Sequence, residues 1–253
     1  MKKLPVWIAL TALLALSAAY LALAEGAPGQ TPEEIEDAPV PAEAKKEEVL
    51  AAAAAEAEAK TERGTEEGYL ILVNRQHPVP EDYDPDIVTV PGRNVRGEKK
   101  AAEALRDMLS AGEKEGLRFV VCSGYRTRED QRRLYLNQIQ RRLDGGMTQS
   151  EAVAEAEAVS ALPGTSEHET GLAFDVVALS YQNLDEGYAL TSEAAWLRAH
   201  AMEYGFILRY PPDKSGITGI AYEPWHYRYV GEKAAAEIAE SGLALEEYVE
   251  NTR

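Results

Sequence analysis

Two short stretches hold the residue types that a hydrolytic metal site needs. In Ser166-Glu167-His168-Glu169-Thr170-Gly171-Leu172-Ala173-Phe174-Asp175 a histidine and a carboxylate stand seven residues apart with a glycine between them. In Glu223-Pro224-Trp225-His226 a second histidine follows a carboxylate by three. Catalytic zinc takes about three nitrogen or oxygen donors from protein and keeps its fourth position open. His168, Asp175 and His226 would fill the three. Water held in the fourth has its pKa lowered toward neutrality, and a nearby carboxylate then takes its proton as it attacks a carbonyl. Glu223 is the candidate base.

A regular strand would put Glu223 and His226 on opposite faces, because side chains alternate. Pro224 cannot donate to a sheet ladder, so a local bend is expected there, turning both toward one ion. Gly171 lets the backbone swing close to the site, and Ala173, on the same strand face as Asp175, leaves room beneath the ion. A single histidine is more often a satisfied polar or core residue than a ligand. The chain holds only four, His77, His168, His200 and His226, and two of them fall in these settings. His200 belongs to neither spacing and is read as structural.

The pattern Ser-x-His-x-x-Gly-x-Ala-x-Asp followed by Glu-x-x-His resembles the zinc D,D-carboxypeptidases of the VanY type, within the group that also holds VanX dipeptidases and Hedgehog-like domains. The likeness extends to Ser123-Gly124-Tyr125-Arg126 with Gln131, and to Gly205-Phe206-Ile207-Leu208-Arg209-Tyr210-Pro211, so it covers about residues 69 to 232. It implies that His168, Asp175 and His226 hold Zn2+, that Glu223 is the catalytic base, and that Arg126 lies in the substrate site with Ser123, Gln131, Ser166 and Trp225. Arg126 suits that place by its own chemistry, since a guanidinium can bind a carboxylate through two parallel bonds or polarise a carbonyl. Read without the resemblance, a surface salt bridge is the favoured reading of Arg126. Trp225 reads either as core packing or as one wall of the pocket.

The rest of the chain supplies the setting. Met1-Lys2-Lys3 precedes an uncharged apolar run from Val6 to Leu23, so residues 1–24 read as a signal peptide or a membrane anchor. Ala22-Leu23-Ala24 has the form of a signal-peptidase site. The run is also close to the length that spans a bilayer, which keeps an uncleaved anchor open. The expected destination is extracellular or the cell envelope, with membrane contact only through that segment. Residues 25–67, rich in Ala, Glu and Pro, bury too little apolar surface to offset the entropy of ordering, and read as a linker. They carry 13 acidic and 4 basic residues, a net of −9 within the chain's −17. Such a charge argues against nucleic acid, whose binding needs Lys and Arg on phosphates. The single cysteine, Cys122, cannot form an internal disulfide, and in the run Phe119-Val120-Val121-Cys122 it reads as a buried small hydrophobe.

Residues 68–253 suffice for one domain with its own core. Apolar spacing at Ala101, Ala104, Leu105, Met108 and Leu109 predicts a helix over 98–111. A second is predicted over 128–143, with Tyr135, Leu136, Ile139 and Leu143 inward and Gly145-Gly146 as its stop. Thr148 and Glu151 form a capping pair for a third that ends before Pro163. Thr191 or Ser192 opens a fourth that Gly205 ends, and a last begins near Glu232. Strands are predicted over 117–122, 172–178 and 206–210, with one or two over 220–230 and a turn over 213–219. Helices first and then mostly strands suggest an α+β domain with a mainly antiparallel sheet and helices on one side. The resemblance implies a Hedgehog/D,D-peptidase-like fold.

The expected function is a monomeric zinc D-alanyl-D-alanine carboxypeptidase that trims the terminal D-Ala of peptidoglycan stem peptides, the metal and Arg126 sharing the oxyanion charge. An L,D-carboxypeptidase or an endopeptidase would use the same residues. A noncatalytic cell-wall binding module with structural zinc would instead close the fourth position or lack the base.

Overall fold

The computed structural model describes residues 68–252, and the expected leader and linker lie outside them. After an irregular arm, β1 (Ile87–Thr89) and β2 (Arg96–Glu98) form a two-stranded antiparallel sheet that the sequence pattern did not signal. Glu98 then caps α1 (Lys99–Lys114), its carboxylate accepting from the Lys100 and Ala101 amides. This satisfies two of the donors that a helix start leaves unpaired. The face bearing Ala101, Ala102, Leu105, Met108 and Leu109 is wholly buried.

The main sheet is antiparallel throughout. Its strands are β3 (Phe119–Ser123), β4 (Ala173–Ala178), β5 (Phe206–Leu208) and β6 (His226–Tyr229), in the order β3-β4-β6-β5. Between them lie α2 (Arg128–Asp144), α3 (Gln149–Val159), α4 (Ser192–His200) and the one-turn α5 (Ser215–Thr218), with α6 (Glu232–Ser241) and α7 (Leu245–Thr252) closing the chain. The expected α+β class is observed. The helices do not keep to one side, however. α1 packs on Phe119, Phe174, Val176, Phe206 and Tyr227, whereas α6 and α7 gather around Ile207 and Val230 in a second cluster.

Alternation divides the central strands cleanly. Phe174 pairs with Tyr227 across β4 and β6 and both join the α1 core, so Asp175 and His226, directly opposite one another, point to the other face.

Three local expectations are corrected. Cys122 is exposed, because a bulge between Val121 and Ser123 leaves it unpaired and brings Ser123 opposite Asp175. One extra residue re-aims everything after it, and bulges of this kind gather beside functional sites. Leu136 is half exposed, because α2 packs mainly on α3 and buries only Gln131 completely. The stretch predicted as a turn over 213–219 contains α5.

Gly171 has φ 76°, and a Cβ there would lie 2.7 Å from the Glu98 amide nitrogen and 2.6 Å from Ile87 Cδ1. Left-handed backbone and a close approach to β2 therefore coincide. Gly171→Ala is expected to cost about 1–3 kcal/mol, read as a lower denaturant midpoint. An unchanged midpoint would show that β2 gives way freely.

Candidate metal centre

His168 lies in a single 3-10 turn, Glu167–Thr170, that leads through Gly171 into β4. Asp175 follows on β4 and His226 opens β6. The bend expected at Pro224 is present: the His226 amide donates to the Glu223 carbonyl at 3.1 Å, and the Glu223 amide donates to Tyr210. It carries Glu223 Oε2 to 3.6 Å from His226 Nδ1. All three expected ligands are buried, and among the described residues they form a group whose ligand atoms lie within 4.8 Å of one another.

Hydrogen bonds behind the two imidazoles decide which nitrogens face inward. His168 Nδ1 lies 2.9 Å from the Gly124 carbonyl, which can only accept, so Nδ1 carries the hydrogen and Nε2 keeps its lone pair. Gly124 fits here because a Cβ would run into the Arg96 carbonyl. His226 Nε2 lies 3.3 Å from Glu167 Oε2. Burial works against the charge on Glu167, but Arg209 and Arg228 outweigh it and hold that carboxyl well below its usual range. Glu167 is thus an acceptor only, and the His226 lone pair sits on Nδ1.

The two free lone pairs then point at the same carboxylate. His168 Nε2 is 3.3 Å from Asp175 Oδ2, and His226 Nδ1 is 3.3 Å from Asp175 Oδ1, which receives no well-directed hydrogen bond. Electron-rich atoms converging in a buried space repel one another unless a cation lies among them. The set, two imidazoles and one carboxylate each steadied from behind, fits a divalent metal.

Glu223 is the remaining acid at this centre. Burial pushes its carboxyl up to about 7, with Asp175 and Glu167 adding to the rise and His226 and Arg126 opposing it. Arg126 stands between β3 and α2, its amide donating to the His168 carbonyl at 3.0 Å. Burial lowers the pKa of its guanidinium, while Asp175, Glu169 and Glu223 oppose the fall, and its Nε is buried with no partner. A cation that interacts with both Asp175 and Glu223 suits an anionic group of a bound molecule. Arg126 also opens onto a groove of about 430 Å³ that runs along α2 past Arg133, Asn137 and Arg141.

The other expected substrate residues have these surroundings. Gln131 is 1% exposed, and its amide is spent on the Ala161 carbonyl at 2.7 Å and Ser160 Oγ at 3.4 Å, which ties α2 to the loop before Ser166. Ser166 is buried, its carbonyl accepting from Glu169 as the 3-10 turn begins. Ser123 faces Asp175 across the sheet. Trp225 packs with Val177, Tyr188 and Ala194, so it has a core contact whatever else it does. His200 stacks on Trp196 and bonds Glu203 at 3.0 Å.

With this geometry in hand, comparison decides the family. Residues 94–232 match the family model "VanY: D-alanyl-D-alanine carboxypeptidase". The chain belongs to the VanY family. Among VanY-type relatives it is 42% identical over 194 residues to a D-alanyl-D-alanine carboxypeptidase of Enterococcus faecalis, covering 76% of this chain and 70% of that one. A solved VanY D,D-pentapeptidase mutant in complex with Zn(II), from a vancomycin-resistance cassette, is 42% identical with a TM-score of 0.63, covering 72% of this chain and 98% of that one. The LdcB LD-carboxypeptidase, solved for its peptidoglycan recognition, is 38% identical with a TM-score of 0.64, covering 73% and 87%.

The Glu167–Arg209–Arg228 group behind His226 was not read from the sequence as part of the site. A faint signal exists: Arg228 follows His226 by two on a strand, so both face the same way, and Arg209 interrupts the apolar run Phe206-Ile207-Leu208.

Proposed function

We propose that this chain is a zinc-dependent D-alanyl-D-alanine carboxypeptidase acting on peptidoglycan stem peptides. The observation that carries the reading is the convergence of two imidazole lone pairs on the Asp175 carboxylate, with Glu223 and Arg126 beside it. Zn(II) in a VanY neighbour supports the choice of ion. Held by His168, Asp175 and His226, a zinc ion would supply Lewis-acid polarisation of the scissile carbonyl and a water acidic enough to deprotonate near neutral pH.

The chain's own residues do the rest. Glu223, with a carboxyl that exchanges protons near neutrality, takes the proton of the attacking water and returns it to the departing amine of D-Ala. Arg126 meets the substrate carboxylate or the developing oxyanion with its guanidinium. Gly124 and Glu167 keep the imidazoles turned inward. Export through the first 24 residues, and a linker that leaves the catalytic domain free to reach the wall, complete the proposal.

The likeness to an LD-carboxypeptidase at nearly the same TM-score supports a second reading, removal of D-Ala from a tetrapeptide stem. Incubation with pentapeptide and tetrapeptide stems, followed by mass analysis of the fragments, separates the two. Release of D-Ala from the pentapeptide alone supports the first reading, and release from the tetrapeptide alone supports the second. Cleavage of neither would sink both. Arg126→Lys keeps a charge but loses the fork, and is expected to lower kcat/KM about 10- to 100-fold with zinc retained. Wild-type kcat/KM in that variant would remove Arg126 from the substrate site.

A further inference from the structure

The acid that completes the support of His226 comes from the last helix, beyond the residues that match the family model. Glu246 lies in the first turn of α7, whereas the match ends at residue 232. Its carboxylate clasps Arg209 through both oxygens, at 2.8 Å from Nη1 and 2.6 Å from Nη2. Arg209 Nε donates in turn to Glu167 Oε1 at 2.7 Å, and Glu167 Oε2 faces His226 Nε2 at 3.3 Å. Arg228 Nη1 reaches the same Oε1 at 2.7 Å, its Nη2 donates to the Tyr69 and Ile71 carbonyls and its Nε to the Tyr229 carbonyl.

Charge counting shows what Glu246 contributes. Arg209 and Arg228 are both fully buried, and two cations balance against two anions, Glu167 and Glu246. Without Glu246, both guanidinium groups would lean on Glu167 alone. The buried group would then carry surplus positive charge one residue from the metal centre, and Glu167 would be a poorer acceptor for His226. Both changes oppose a bound cation.

We propose that Glu246 is a positioning residue for the metal centre: by neutralising Arg209 it leaves Glu167 free to hold the His226 ring with Nδ1 inward, so the C-terminal helix sets the affinity of the site for its ion. The proposal rests on the reading of His168, Asp175 and His226 as zinc ligands.

The test is zinc affinity of the full chain by chelator competition, with folding followed by circular dichroism. Loss of an outer partner of a metal ligand typically weakens binding about 10- to 100-fold, and Glu246→Gln is expected near the lower end. Turnover should then recover as zinc is raised. Glu246→Asp, which keeps the charge, should bind within about 3-fold of wild type. Glu247→Gln is the control. Glu247 bonds Lys214 at 2.9 Å and the Ala244 amide, so its loss loosens the same helix without touching the relay.

Wild-type affinity in a folded Glu246→Gln protein would overturn the proposal, and so would equal losses in Glu246→Gln and Glu247→Gln. A measurement on the unaltered chain guards against variants that do not fold: long-range nitrogen–proton spectra should show the His226 hydrogen on Nε2, and a hydrogen on Nδ1 in the zinc-loaded protein would overturn the relay. An unaltered chain with no affinity for zinc would instead overturn the metal reading itself.

Discussion

Glu223→Gln is expected to keep its zinc and lose about 10²- to 10⁴-fold in kcat, the usual contribution of a positioned proton acceptor. The amide preserves size and leaves the bend at Pro224 intact, since the two backbone bonds that shape it, Glu223 to Tyr210 and His226 to Glu223, do not involve the side chain. What disappears is the ability to take a proton. The wild-type carboxyl is raised to about 7 chiefly by burial, so at neutral pH it is divided between the form that accepts and the form that donates. Steady-state rates beside zinc content decide the matter. Near wild-type turnover with zinc in place would fail the catalytic reading and favour a metal-stabilised binding domain. Loss of zinc in a folded Glu223→Gln protein would make Glu223 a ligand and displace one of the other three.

His226→Ala should have the larger effect on the metal. Removing an outer partner of a ligand costs about 10- to 100-fold in affinity, and removing the ligand should exceed that. The change also strands two acids, because His226 lies 3.3 Å from both Asp175 Oδ1 and Glu167 Oε2. Glu167 retains its arginines, so the fold should survive while the centre empties, as zinc analysis after dialysis would show. Full occupancy after dialysis would sink the ligand assignment.

The His168–Asp175–His226 cluster was legible because each half is a short run of telling residue types and lies where simple geometry applies. Asp175 and His226 sit on regular strands, and Pro224 announces its own bend. Helix starts were legible for a related reason, since Thr148 with Glu151 and Thr191 act on amides within three residues. What escaped depends on distant parts. Cys122 looks like a core residue in its own run, and only pairing with β4 creates the bulge that exposes it. Leu136 has helical spacing, but α2 finds α3 rather than the sheet, so no apolar surface waits for it. Arg209 and Arg228 can be buried only because Glu167 and Glu246, 42 and 37 residues from Arg209, come to meet them.

The order of strands also decides how the molecule fails. Asp175 and His226 occupy the two inner strands, each flanked on both sides, whereas Arg126 hangs from the end of the outer strand β3 and leads into a helical hairpin with little apolar cover. Openings of a native protein begin where few apolar contacts hold the chain. Damage arriving from the rim therefore reaches Arg126 first, and with it the Gly124 and Arg126 backbone bonds that steady His168, while Asp175 and His226 are reached last. A partly unravelled molecule would keep Asp175 and His226 paired across the inner strands while His168 swung loose, so two corners of the cluster outlast the third.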